Sequence, residues 1–184
     1  MSRKLFILAV ILQCSLLLTM IARQEILLKT GKKIMLKCEA LDPRSLFSGD
    51  YVDLNYEISE IDLKTLRGQN YEETATERQK FFMGDDVFVT LKKNSANDFF
   101  SVNGVSESYA KPEEDAVTML GKVERHSASG KLRVKYGIEN YFVPQNEGKH
   151  LEDKMNELHA EVSVKGKRCA LSKLFLYGVE VKFY

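Results

Sequence analysis

The feature that most limits what this chain can fold into is its N-terminal run, "RKLFILAVILQCSLLLTMIARQ". Two bases precede an apolar stretch from Leu5 to Ile21, and Arg23 follows it. At about 1.5 Å of rise per residue, a helix of that stretch reaches ~26 Å, enough for a thin bilayer core. A secretory signal has a shorter apolar run and small residues at its cut. Here the end reads Thr19-Met20-Ile21-Ala22, with Met20 at the outer small-residue position. Cys14 suggests a lipoprotein, but Gln13 precedes it where a small residue is needed, and the apolar stretch continues to Ile21. An uncleaved anchor over residues 1–22 is therefore expected, with a cleaved signal as the alternative. Arg3 and Lys4 lie before the span, so charge bias places the N-terminus in the cytoplasm and residues 23–184 on the extracytoplasmic (periplasmic) side. Lys29, Lys32 and Lys33 weaken that bias without reversing it.

The remainder has the make-up of one globular domain, since 44% of the chain is hydrophobic and 29% charged. The 27 bases and 26 acids nearly cancel, and setting aside Arg3 and Lys4 leaves 25 bases. A nucleic-acid partner, which needs a basic excess on one face, is not expected. The chain has no Gly-rich phosphate loop, no Gly-x-Ser-x-Gly elbow, no His-Glu-x-x-His helix and no Cys-x-x-Cys, and its three histidines are scattered. Neither a metal nor a cofactor is expected. Cys38 and Cys169 could form a disulfide in an oxidising space, or remain two buried thiols.

Past the anchor the dominant period is two, the mark of half-buried strands. After a turn at Thr30-Gly31-Lys32, Ile34, Leu36 and Cys38 alternate with polar neighbours. In "FSGDYVDLNYEIS", Val52, Leu54, Tyr56 and Ile58 form the inner set, while Tyr51, Asp53, Asn55 and Glu57 face out. Residues 60–80 read as a polar surface excursion with a helical turn near 74–80. "DDVFVTLKKN" turns Val87, Val89 and Leu91 inward, and Asn103-Gly104 reads as a hairpin dipeptide. "VTMLGKVERH" and "KLRVKYGIENYFVP" supply further strands, the second bending at Gly137. Leu151, Met155 and Leu158 have helical spacing and predict one surface helix. Two or three strands, turning at Lys165-Gly166-Lys167 and Tyr177-Gly178, close the chain. The expected fold is mainly β: a compact antiparallel barrel or sandwich with one surface helix, preceded by a single transmembrane helix.

Chemistry is harder to find. "ALDPRSLFSGDYVDL" looks like the nucleophile box of signal-peptidase-type serine proteases, but Ala40 occupies the nucleophile position. Lys122, Lys131 and Lys135 lie downstream, where such a dyad would need a lysine desolvated enough to lose its proton. No catalytic residue is therefore assigned. Asp42, Arg44 and Asp50 could bind a partner's charged group through the Arg44 fork, or could simply hold their own loop together. Glu139 could act as an acid or base, or serve as a buried, paired carboxylate. Tyr136, Tyr141 and Phe142 could form a ligand cage, or core and rim aromatics.

Two separated blocks carry a family resemblance. Gly49, Asp50, Tyr51, Leu54 and Tyr56 fit Gly-Asp-Tyr-x-x-Leu-x-Tyr, while Tyr136, Gly137, Ile138, Glu139, Tyr141, Phe142, Val143 and Pro144 fit a second block. A Leu-Glu pair matches Leu151 and Glu152. On these residues the chain resembles the GDYXXLXY family of bacterial proteins. Ser48 and Asn140 stand where that family often carries arginine, and Gln145 where it carries glutamate. The resemblance implies a membrane-anchored protein often found beside a polytopic membrane protein, with no activity to carry over. The leading expectation is a non-enzymatic, anchored extracytoplasmic module that binds such a polytopic partner. The alternatives are an envelope module binding a glycan, lipid or peptide, and a signal-peptidase-like hydrolase.

Overall fold

Leucine, isoleucine and alanine dominate the first stretch, and they form one helix, α1 (Arg3–Thr30), in the computed structural model. The structure describes residues 3–39, 51–63, 81–126, 131–144, 148, 151 and 154–182. Helix α1 is 28 residues long, ~42 Å at the α-helical rise, and is long and apolar enough to cross a membrane. Its large apolar side chains from Leu5 to Ile21 mostly stand exposed, and Leu27 is its one buried residue. The helix does not end at Ala22, as expected from the apolar run; Arg23 to Thr30 add two more turns.

Among the described residues eleven strands follow: β1 (Lys32–Lys37), β2 (Tyr51–Asp53), β3 (Glu60–Asp62), β4 (Asp86–Lys93), β5 (Phe100–Ser106), β6 (Ala116–His126), β7 (Lys131–Lys135), β8 (Asn140–Phe142), β9 (Leu158–Lys165), β10 (Arg168–Leu176) and β11 (Val179–Glu180). They pair antiparallel in the orders β1-β9-β10-β11, β3-β7-β6-β4-β5 and β2-β8. A bridge from Met35 to Phe99 brings β1 beside the chain entering β5. The Leu120 N–H donates to the Lys167 carbonyl, tying β6 to the β9–β10 turn. The result is a nearly closed, barrel-like sheet, as the turn-spaced short strands predict.

Alternation builds the interior. Ile34, Leu36 and Cys38 from β1 and its extension, Val87, Val89 and Leu91 from β4, and Leu132 and Val134 from β7 meet in one core. The inner set Val52, Leu54, Tyr56 and Ile58 is buried as the pattern predicts. Strand β2 is short, however, and a 3-10 turn at Glu57–Ser59 carries the chain into β3. Burying Ile61 against that core makes Glu60–Asp62 a strand rather than part of a surface excursion; residues 64–80 lie outside the described residues.

Two further expectations are corrected. Asn103-Gly104 is not a hairpin: Gly104 pairs with Thr90 and Val102 with Leu91, so Asn103 is the extra residue of a β-bulge within β5. Nor do the residues around 155 form a continuous surface helix. Gly148 and Leu151 are helical, but Met155–Glu157 is a 3-10 turn and Leu158 already opens β9. Leu151, Met155 and Leu158 are all buried, so their helical spacing records a shared inward direction rather than one element.

The helix joins the barrel without a linker. Gly31 N–H bonds the Leu27 carbonyl, and β1 starts at the next residue. A Cβ on Gly31 would lie 2.7 Å from Leu27 O and 3.1 Å from Val164 N, so only glycine lets helix end and β9 approach this closely. Ser163, fully buried, donates its hydroxyl to the Leu28 carbonyl at 3.1 Å, and Lys165 Nζ bonds Thr30 Oγ1 at 2.7 Å. These contacts satisfy helix-terminal groups and fix the angle at which α1 leaves the barrel.

Candidate functional site

The two sequence blocks that stand 80-odd positions apart meet as the β2–β8 ribbon. Tyr51 pairs with Phe142, Val52 with Tyr141 and Asp53 with Asn140, and Leu54 N–H extends the ribbon by bonding Glu139 O. Below it, two buried tyrosines lock the blocks together. Tyr56 Oη donates to the Ile138 carbonyl at 2.7 Å, and Tyr136 Oη donates to the Ile58 carbonyl at 2.7 Å. Burial raises both phenols well above their ordinary pKa, so they remain neutral donors rather than bases.

Between them, Gly137 takes a φ of +78°, which favours glycine, and Glu139 holds the turn. Its carboxylate accepts from Tyr136 N–H at 2.5 Å and from Gly137 N–H at 2.9 Å. Both carboxylate oxygens are thereby occupied with the chain's own backbone. Tyr141 is half-buried, and burial, then the nearby Glu180 carboxylate, raises its phenol. Tyr51 and Phe142 are 51% and 62% exposed and stack edge to face with ring centroids 5.5 Å apart. They form an aromatic patch on the ribbon's outer face. Among the proposed contact residues, Asp42, Arg44, Gly49, Asp50 and Glu152 lie outside the described residues, as does Ala40.

Sequence reasoning missed the charged brace beside this ribbon. Val123 pairs with Val134 and Arg125 with Arg133, so Glu124 is the extra residue of a bulge. Its carboxylate reaches Arg133 Nε at 2.9 Å and Lys135 Nζ at 2.8 Å, and Arg133 Nη2 also donates to Asn55 Oδ1 at 3.2 Å. Lys135 beside Glu124 has its pKa raised, chiefly by that hydrogen bond, the reverse of what a lysine base requires. Lys131 reaches Glu60 at 3.7 Å. Alternating charges on "KVERH" and "KLRVK" were the available signal, but only the bulge decides that Glu124 faces both bases.

Of the two readings open for Cys38 and Cys169, a disulfide or two thiols, the structure has two free thiols. Cys38 N–H bonds Leu158 O at one end of β9, while Cys169 pairs with Val164 near the other. Six strand residues, ~20 Å, separate these stations, far beyond the ~7 Å Cα separation a bridge tolerates. Burial pushes both thiols up to about 12, so neither supplies a thiolate at neutral pH. Among the described residues, no group of three His, Cys, Asp or Glu side chains is placed to hold a metal ion.

Fold and ribbon together define a mainly β protein with a nearly closed barrel-like sheet on an N-terminal apolar helix. The chain belongs to the GDYXXLXY protein family, whose model matches residues 13–173. No curated protein and no solved structure matched the chain.

Proposed function

We propose that this protein is a single-pass membrane protein, its N-terminus cytoplasmic, that presents its barrel outside the cytoplasm to bind a polytopic membrane protein. The observation that carries this reading is the direct, hydrogen-bonded junction of an exposed apolar helix with the barrel. Because α1 runs unbroken from the apolar stretch to Thr30, packing Leu27 and bonding Leu28 and Thr30 to the folded domain gives an anchor a fixed orientation. Two surfaces suit a partner that has parts inside and outside the bilayer. On the helix, Cys14, Ser15, Thr19 and Ala22 share an open face with Val10, Ile11 and Leu18, and small side chains of this kind let a second helix approach closely. On the barrel, Tyr51 and Phe142 offer rigid aromatic area. Glu139 is occupied by its own turn, which removes support from a ligand-binding reading of that loop.

The test is isolation of the tagged full-length protein from membranes in mild detergent. Co-purification of a polytopic protein is expected, and Ser15→Leu with Thr19→Leu should lower its yield about tenfold. Recovering the protein alone, with tags at several positions, would overturn the reading.

A further inference from the structure

The β9–β10 turn carries the sequence Lys165-Gly166-Lys167-Arg168, and all four residues are exposed. Gly166 (φ +61°) makes the two-residue turn that sets Lys165 directly opposite Arg168. Like charges facing one another across a ladder destabilise it. Among the described residues, no acid forms an ion pair with Lys167 or Arg168, and Lys165 spends its ammonium on Thr30 Oγ1. Neighbouring bases are otherwise engaged: Lys29 with Glu25, Lys33 with Glu161, and Lys32 with the Glu114 and Ala116 carbonyls. Unopposed positive charge is thus concentrated at one turn.

The position of that turn gives the charge a purpose. Strand β9 runs antiparallel to β1, with Val164 opposite Lys32, so the turn lies back alongside the last turn of α1. The apolar run ends at Ala22, and the eight residues to Thr30 rise ~12 Å, about 4–7 Å beyond the ~5–8 Å depth of one headgroup layer. Extended lysine and arginine side chains at that height reach phosphate level. The turn is also held in place, because the Lys167 carbonyl accepts from Leu120 N–H on β6.

We propose that the β9–β10 turn is a contact site for anionic phospholipid, with Lys167 and Arg168 meeting phosphate headgroups of the leaflet that α1 leaves. This rests on the membrane-spanning reading above. The contact offsets the repulsion across the turn and seats the barrel on the membrane surface, so that a partner meets it at one height and tilt.

The full chain, reconstituted into phosphatidylcholine vesicles carrying trace spin-labelled phosphatidylglycerol or spin-labelled phosphatidylcholine, tests this by the fraction of each label immobilised at the protein. A preference for phosphatidylglycerol of about threefold to fivefold is expected, since each basic residue near an anionic surface contributes a factor of roughly five at most. The preference should fall towards one in 0.5 M salt and in Lys167→Gln/Arg168→Gln, with circular dichroism unchanged. Immobilisation of both labels without preference, or a preference kept by the double variant but lost in Arg23→Gln, overturns the proposal while leaving the anchor intact. Failure to immobilise either lipid overturns the anchor, and this proposal with it.

Discussion

Tyr56 and Tyr136 brace each other reciprocally: each phenol donates to the carbonyl two residues beyond the other tyrosine, Ile138 and Ile58 respectively, both at 2.7 Å. The pair thereby closes a loop between segments separated by 82 and 78 positions along the two bonds. A phenylalanine at either site keeps the ring but strands a buried carbonyl.

Tyr56→Phe and Tyr136→Phe should each destabilise the barrel by about 1–3 kcal/mol, the cost of a buried acceptor without its donor. Because both bonds hold the same two segments, the double variant should depart from additivity by about 0.5 kcal/mol or more. Urea unfolding of the full chain in detergent, followed by circular dichroism, measures this. Single variants as stable as the parent would show that water replaces the phenols without cost.

Cys38, buried, and Cys169, half-buried, should make the fold sensitive to alkaline pH. Burial holds both at about 12, above the ordinary thiol value of 9.0, so the protonated form is the one folding favours. That contribution is fully present below pH 9 and is lost as pH rises from 9 towards 12, at up to ~1.4 kcal/mol per pH unit for each thiol. The buried tyrosines add loss of the same sign. Urea midpoints should be level from pH 7 to 8 and fall steeply above 9, less steeply in Cys38→Ala. Alkylation in denaturant without reductant should label Cys38 and Cys169 quantitatively; an unlabelled, mass-matched pair would contradict the free-thiol arrangement.

Two glycines inside strands should respond unequally to alanine. A Cβ on Gly121 would run into Val134 Cγ1 and lie 3.2 Å from both Lys135 O and Tyr136 Cδ1. Valine has little rotamer freedom to yield, so Gly121→Ala should cost about 1–3 kcal/mol. Gly104 has open space at the same point, and Gly104→Ala should stay within about 0.5 kcal/mol. Melting temperatures of the two variants decide the matter, and equal shifts would refute the packing argument.

The legibility of this fold in its sequence followed the physics of each element. Val87, Val89 and Leu91 alternate cleanly because β4 is paired on both sides, with β6 and β5, and one face of it is buried. Gly137, Gly166 and Gly178 marked their turns because each adopts positive φ, where other residues are strained. Asn103-Gly104 misled because the same dipeptide that makes a hairpin also makes a bulge, and only pairing with Thr90 and Leu91 distinguishes them. Leu151, Met155 and Leu158 misled because inward direction can recur at helical intervals across a turn and a strand start. Of the site, the likeness of two motif blocks joined Tyr56 to Tyr136, but spacing could not reveal which carbonyls they reach. Nor could it reveal that Glu139 serves its own turn, since that depends on three consecutive backbone angles.

The first strand to emerge behind the helix is also among the last to find its partner. Lys33 on β1 is joined to Glu161 on β9, 128 residues later. During synthesis β1 therefore has an open edge while most of the chain has yet to follow it. Such edges invite pairing with other chains, and pairings this distant form slowly. Lys32, Lys33 and Lys37 on that strand act as a guard during the wait, making its exposed edge a poor template for aggregation until β9 arrives.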